Sequence, residues 1–435
     1  MIHGKRGRLL TTLFLTLALA GTSSAQQQEE DDWEDDDWEE ESGLPVEIHG
    51  FAEGALARRV REDPIQSDDF LLGEARFRLD LSYFSNRVDL AFKGDLVADG
   101  VADEIDGDIR LASVTLRTVD WLDFRAGRQV LTWGTGDLVF LNDLFPKDFV
   151  SFFIGRDDEF LKAPSNSLKL TFYTGPANLD VVWSHFAPDR FITGERLSFF
   201  DPEVPGLVSA ETMGGPLESR LPSNDLGDLS LRLFRNLGGY ELAAYGYLGF
   251  FKQPVGFDPE EDVAMHPRLN VYGGSIRGNL LGGVTNFEGA YHDSLDDREG
   301  TDPNIPNSQV RGLVGYDWEL FRNFTAGIQY YVEWTLDHGD LIASSPWPQF
   351  EPPERRHLFT TRLTHRLLQQ TLTLSLFVFA APWDDDGYLK PALTYNWTDA
   401  LTVSGGANIL FGPDPTFFGQ LENNSNVFAR IRYTF

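Results

Sequence analysis

The chain has 435 residues, 67 acids against 36 bases, a formal charge of −31, 41 glycines, 34 phenylalanines, 10 tryptophans and no cysteine. The acidic balance excludes a binder of nucleic-acid backbones, which needs a cationic face. The missing cysteine excludes disulfide scaffolds, thiolate metal sites, iron–sulfur clusters and thiol catalysis. After residue 25 no run of about 18 apolar residues occurs, so membrane helices are excluded as well.

Residues 1–25 read as a secretory signal peptide. Lys5, Arg6 and Arg8 precede the apolar stretch 9–20, and Ser23-Ser24-Ala25 supplies a small-x-small cleavage site. Residues 26–45 are predicted to be a disordered periplasmic tail. Eleven of the thirteen residues from Glu29 to Glu41 are acids, interrupted only by Trp33 and Trp38, and such self-repulsion does not fold alone. This tail is either a solvated spacer or a motif that docks on a basic partner.

From residue 46 onward the chain alternates apolar and polar residues. In 74–83, Ala75, Phe77, Leu79, Leu81 and Tyr83 share one face, with Glu74, Arg76, Arg78, Asp80 and Ser82 on the other. Period two is the signature of a strand with one apolar side. Eighteen strands are predicted, at 46–60, 70–84, 87–98, 107–119, 122–133, 165–174, 179–187, 225–236, 239–251, 268–280, 284–293, 307–320, 323–336, 354–368, 371–380, 387–397, 400–411 and 425–435. Their connections alternate strictly between short and long. The expected fold is therefore all-β: a transmembrane antiparallel up-and-down barrel of about 18 strands, with 16 as the alternative, spanning 46–435 in the outer membrane of a Gram-negative cell. Aromatic residues at strand ends, Trp121, Tyr240, Trp318, Trp334, Tyr395, Trp397 and Phe435, fit an interfacial girdle.

Two stretches carry a resemblance. In the last strand Val427, Ala429, Ile431, Tyr433 and the terminal Phe435 share a face. It resembles the C-terminal targeting strand of Gram-negative outer-membrane proteins. The resemblance implies that Ile431, Tyr433 and Phe435 are read by the barrel-assembly machinery. The run Gly127-Arg128-Gln129-Val130-Leu131-Thr132-Trp133-Gly134, with Asn142-Asp143, Pro146 and Asp148 downstream, resembles a group of largely uncharacterised porin-like outer-membrane proteins. It implies a porin-like barrel and fixes no substrate.

Parity sorts the charges. Arg59, Arg76, Arg78, Lys93, Arg232, Arg311, Arg356, Arg362, Arg366, Lys390, Arg430 and Arg432 are expected to face inward. So are Glu47, Glu53, Glu74, Asp80, Asp89, Asp95, Asp228, Glu241, Asp317, Glu319 and Glu333. The bases cluster. Arg430, Arg432, Arg59, Arg76 and Arg78 lie on one arc, and Arg356, Arg362 and Arg366 form a ladder, so the wall is either held by ion pairs or forms a track for anions. Arg125 and Arg128 have odd spacing, and a bulge at Gly127 would turn both inward.

The loop 134–164 is rich in apolar residues, from Leu138 and Phe140 to Phe152, Phe153 and Ile154. So much exposed apolar surface is improbable. The loop is expected to fold into the barrel as a constriction carrying Asp137, Phe140, Asn142, Phe145, Pro146 and Phe149, anchored by Asp143, Lys147, Asp148 and Arg156. Burial in a subunit interface is the alternative, and the oligomeric state, monomer or homotrimer, stays open. The surplus acid is assigned to outer loops, including Asp157/Asp158/Glu159 and Asp384/Asp385/Asp386, where Ca²⁺ or Mg²⁺ could bridge it to lipopolysaccharide. No other cofactor is expected. No hydrolase, zinc or phosphate-loop motif is present. The expected function is passive diffusion of small polar or anionic solutes. A barrel acting as a sheath or anchor for a partner, or a channel for apolar or aromatic solutes, are the alternatives.

Overall fold

The computed structural model describes residues 46–202, 204–222 and 227–435. The predicted signal peptide and acidic tail lie outside them. Eighteen strands form one closed antiparallel sheet. They are β1 (Val46–Arg59), β2 (Phe70–Phe84), β3 (Val88–Asp99), β4 (Glu104–Val119), β5 (Leu122–Gln129), β6 (Ser165–Tyr173), β7 (Asn178–Ser184), β8 (Asp228–Leu237) and β9 (Tyr240–Phe250), followed by β10 (Arg268–Leu280), β11 (Gly283–Ser294), β12 (Gln309–Phe321), β13 (Phe324–Thr335), β14 (Arg355–Leu367), β15 (Leu372–Ala381), β16 (Asp386–Asn396), β17 (Leu401–Phe411) and β18 (Asn426–Thr434). The count is 18, not 16. Each strand pairs with its sequence neighbours, and β18 closes on β1 from Phe51↔Thr434 to Arg59↔Asn426. Phe435 completes the seam. Its N–H donates to Gly50 O, and its carbonyl accepts from Gly50 N, both at 3.0 Å.

One end of the barrel carries only tight turns, such as Gly238-Gly239 and Leu281-Gly282, and the other carries the long loops. The alternation is less strict than the sequence suggests. The connections 100–103 and 382–385, both at the long-loop end, are four residues each. The strands beside them therefore take in more acid than expected. Glu104, Asp106 and Asp108 belong to β4, and Asp386 begins β16. Asp103 and Asp385 adopt positive φ, 56° and 53°. Aspartate tolerates this in a tight turn because its side chain bonds locally.

The exterior is apolar. Ile48, Leu56, Phe77, Ile328 and Ile431 point outward and are exposed, while their strand neighbours Glu53, Arg76, Arg78 and Gln329 are buried inside. A closed sheet satisfies all its ladder hydrogen bonds and has no edge, so this surface suits a bilayer. Ile328 lies near mid-strand, outside the barrel. Replacing it with Arg is expected to cost about 2–4 kcal/mol of folding free energy in lipid vesicles, measured by denaturant unfolding from the bilayer.

The core lies inside the barrel and is made by the connection between β5 and β6. Within it the helix α1 (Phe149–Ile154) is almost wholly apolar, as a helix buried on all sides should be. Asp148 caps it by accepting from Ser151 N at 2.7 Å. Gly155 ends it at φ 88°, where any Cβ would lie 2.8 Å from Phe428. Phe152 and Phe153 pack on Phe379 and Tyr388 of the wall, with Leu141, Leu71, Leu72, Leu410 and Leu421 in the same cluster.

Candidate functional site: the loop held inside the barrel

The connection 130–164 is bound to the wall along its length. At its start, the Glu288 carboxylate on β11 accepts four hydrogen bonds. They come from Thr135 N and Oγ1 at 2.6 and 2.9 Å, and from Asn142 N and Nδ2 at 3.1 and 2.9 Å. Asp137 N donates to Gln329 Oε1 at 2.8 Å, and the Asp137 carboxylate pairs with Arg362, Nη2 donating at 2.9 Å. His292 lies 3.0 Å from the Leu141 carbonyl. In the middle, Asn408 and Asn426 both donate to the Phe153 carbonyl, at 3.1 and 2.9 Å.

The end of the loop is held by charge. Arg156 Nε donates to Glu74 at 2.9 Å, with Ser151 Oγ 2.8 Å from its Nη1. Burial alone would lower the affinity of Arg156 for its proton, but Glu74, Asp148 and Asp99 outweigh it and raise the pKa. Next comes a run of three acids. Asp157 pairs with Arg430 at 3.3 Å, Asp158 with Lys390, and Glu159 with Arg78 at 2.7 Å and Arg432 at 3.3 Å. Arg110 donates to the main-chain carbonyls of Glu159 and Lys162 at 3.1 and 2.8 Å. The Phe160 ring is ringed by guanidinium groups, with Arg76, Arg110 and Arg78 at 4.3, 4.9 and 5.2 Å from its centroid. Beside it, Arg76, Arg110, Arg128, Arg156, Arg190 and Asp108 help line a cavity of about 370 Å³.

The inward bases are mostly engaged. Arg76 pairs with Glu74 and Asp95 at 3.0 and 2.7 Å, and Arg78 with Asp95 at 2.5 Å. Arg232 meets Glu241 at 2.7 Å, Lys93 meets Asp80 at 2.8 Å, and Arg311 meets Glu333 at 3.2 Å. Arg356 sits 3.5 and 3.6 Å from Asp384 and Asp386. Arg432 pairs with Glu53 at 2.8 Å. Arg59 does not face open lumen. It is buried at the long-loop end, donating to the Arg196 and Asp68 carbonyls. Arg366, at the short-turn end of β14, is exposed and has no ion pair among the described residues.

Several expectations need correction. Asp143 and Lys147 do not tie the loop to the wall; they pair with each other at 3.0 Å, and Thr132 Oγ1 donates to Asp143 at 2.8 Å. Lys147 also lies over the Phe140 ring at 4.7 Å. Asp148 caps α1, and Phe149 N donates to Arg190 O at 2.9 Å. The Pro146 carbonyl accepts from Ala163 N at 3.0 Å. Of the four proposed anchors only Arg156 reaches a barrel strand. Asp157, Asp158 and Glu159 do not face outside: they lie against the basic arc. No bulge occurs at Gly127, because its ladder to β4 and β6 is unbroken. Instead Gly127 has φ 124°, where a Cβ would come 2.1 Å from Ala112 O. Arg128 bonds the Ile109 carbonyl and lies 3.7 Å from Asp108 beside the cavity, while Arg125 reaches Ser113. Gln129, fully buried, donates to Ser167 O at 3.2 Å. Trp133 meets Phe145 edge-on at 5.0 Å, and Gly134 leaves room for Glu288. Ile431, Tyr433 and Phe435 face outward, with Phe435 stacked on Phe77 at 5.8 Å.

Glu288 was absent from the predicted inward acids although it shares the parity of Asn286 and His292. Arg110 was missed because the β3–β4 register shifts between Lys93 and Gly94, so simple alternation fails there. Lys169, paired with Asp180 at 3.2 Å, was missed as well. Among the described residues no group of three or more His, Asp or Glu is arranged to hold a metal ion. Several outer acids have arginine partners, as Asp293–Arg298 and Asp258–Arg220 at 2.8 Å and Asp296–Arg268 at 2.6 Å show.

The internal loop is also joined to neighbouring loops. The Asp189 carboxylate accepts from Lys147 N at 2.8 Å, and Asp189 N donates to Lys252 O at 2.8 Å. Burial pushes the Asp189 carboxyl up to about 6 despite nearby Lys147 and Lys252. The folded chain thus holds this proton more tightly than the unfolded one. Stability from this group is fully present below about pH 4 and is lost as pH rises through about 6, on the order of 3 kcal/mol in all. Asp189→Asn should remove that slope from thermal unfolding curves taken between pH 4 and 7 in detergent.

No protein-family model and no curated protein matches the chain. Among solved structures, OccD3 (OpdP) of Pseudomonas aeruginosa superposes with a TM-score of 0.53 at 12% identity, covering 90% of this chain and 91% of that one. The outer membrane channel DcaP of Acinetobacter baumannii gives 0.43 at 11% identity, over 90% and 97% of the two chains. OmpF of Salmonella typhi, in complex with daunomycin, gives 0.44 at 10% identity, over 90% and 97%. The closed sheet, its apolar exterior and the first of these superpositions agree: the chain is a membrane-spanning β-barrel of the outer-membrane type, with 18 strands.

Proposed function

We propose that the protein is an outer-membrane porin-like channel for passive diffusion of small polar or anionic solutes, in which the segment 134–164 sets the constriction. One observation carries this reading. The long connection after β5 lies inside the barrel, tied to Glu288, Gln329, Arg362, Asn408, Asn426, Arg430 and Arg432 of the wall. Phe140, Phe149, Phe152 and Phe153 turn into the packed core, which leaves charged side chains to meet solute. Charge pairs such as Arg362–Asp137 and Lys93–Asp80 keep about a third of their surface in water, as a solvated lumen requires. That favours polar over apolar or aromatic cargo. Nothing in the reading calls for a cofactor or for catalysis. Purified protein in planar bilayers should form ohmic channels, and liposomes containing it should swell in small sugars and carboxylates. A correctly assembled barrel that neither conducts nor admits solutes would refute the proposal.

A further inference from the structure

The three consecutive acids 157–159 lie against four inward cations. Arg78, Lys390, Arg430 and Arg432 come from β2, β16 and β18, and each reaches one of these carboxylates. The two sides of the contact differ in exposure. The Asp157, Asp158 and Glu159 side chains are 36%, 47% and 36% exposed, while Arg78, Lys390 and Arg430 are 4%, 7% and 12% exposed. Among the described residues, the acids that the wall supplies as direct partners here are Glu53, to Arg432, and Asp95, to Arg78. Lys390 and Arg430 depend on the loop for their anions. Arg430 Nη1 is buried and has no hydrogen-bond partner among the described residues.

From this asymmetry we infer that Arg78, Lys390, Arg430 and Arg432 form a binding site for solutes carrying two or three carboxylates. The chain's own Asp157–Glu159 run is its resident occupant, and a solute of this class displaces it and loosens the constriction. The inference rests on the channel reading and adds a ligand class and a means of opening. Its physics is an exchange of like for like. Buried guanidinium and ammonium groups stripped of counter-ions would carry a heavy desolvation cost, so the loop acids can leave only when other anions replace them. The departing carboxylates already keep more than a third of their surface in water, so their release costs less than that of the cations beneath them. Adjacent residues place their α-carbons about 3.8 Å apart, so carboxylates a few bonds apart can span the same cations. Forked contacts to guanidinium also favour carboxylate over a halide of equal charge.

The test uses the full-length protein in planar bilayers at constant ionic strength, so that screening does not change. Conduction in potassium chloride is established first, and failure there refutes the channel reading and this inference together. Citrate or succinate is then exchanged for chloride. The inference expects conductance of the wild type to rise roughly twofold or more, with acetate much less effective. The D157N/D158N/E159Q variant should start at the raised conductance, be more anion-selective, and respond little to citrate. Asp158→Asn alone, at the most exposed of the three acids, should give an intermediate shift and serves if the triple variant assembles poorly. A conducting wild type indifferent to citrate, with variants that behave like it, would overturn the inference and leave the channel intact.

Discussion

Replacing Glu288 with Ala is expected to free the first third of the internal loop. The carboxylate accepts from two main-chain N–H groups, Thr135 and Asn142, and from both of their side chains. Glu288 is 5% exposed and Asn142 3%, so alanine takes the acceptor from the Thr135 and Asn142 main-chain N–H groups, while Asn142 Nδ2 keeps only the Gly289 carbonyl at 3.3 Å. Each such orphan costs about 1–3 kcal/mol, and the segment between Gly134 and Asp143 should loosen by about 3 kcal/mol or more. No other single group holds this stretch at four points; its other ties include Asn286 Nδ2 to Thr135 O at 3.1 Å, His292 at 3.0 Å from the Leu141 carbonyl, Asn142 Nδ2 to Gly289 O at 3.3 Å and the contacts of Asp137 with Gln329 and Arg362. The expected result is faster protease cleavage within the loop and a noisier, larger conductance, with the barrel itself intact. Glu288→Gln keeps one acceptor oxygen and should lie between the two. Wild-type cleavage and wild-type conductance in the alanine variant would show that the loop is held elsewhere.

The second large effect concerns Arg156, which is 8% exposed and joined to Glu74. Methionine would keep the stem and remove the charge. Glu74 would retain Arg76 at 3.0 Å, Asp148 would retain Arg190 at 3.7 Å and Asp99 would retain Arg196, but each of the three would lose one of its cations. Removing one partner from a buried pair typically costs about 3–5 kcal/mol, whereas removing both can be nearly neutral. Arg156→Met should therefore lower the thermal unfolding temperature sharply, and adding Glu74→Gln should recover part of the loss. Additive losses in that double-mutant cycle would argue against direct coupling.

Much of this barrel was legible in the sequence because a strand in a bilayer obeys a rule with few exceptions. Its outward residues must be apolar and its inward ones are free to be polar. Period two thus located all eighteen strands, and the tight turns fixed their direction. Legibility failed where the chain departs from the ladder. At β4 the register shift hid Arg110. At 100–103 and 382–385, aspartates at positive φ made turns where longer loops were expected. Apolar content revealed that the loop must be buried, but composition does not say which charges face which wall. Asp143 and Lys147, four residues apart, satisfy each other locally. Asp157, Asp158 and Glu159 look like a solvated acidic run until β16 and β18 bring Lys390, Arg430 and Arg432 beneath them, more than 230 residues along the chain. Partners so distant in sequence leave no local trace.

The proposed channel requires that the loop inside the barrel limit passage through it. The most direct measurement is single-channel conductance of the wild type against a variant in which residues 134–164 are replaced by a short Gly-Ser linker, which the unbroken β5–β6 pairing should accommodate. The prediction is a modest conductance for the wild type and one several-fold larger for the variant. Equal conductances, or two assembled barrels that both fail to conduct, would contradict it.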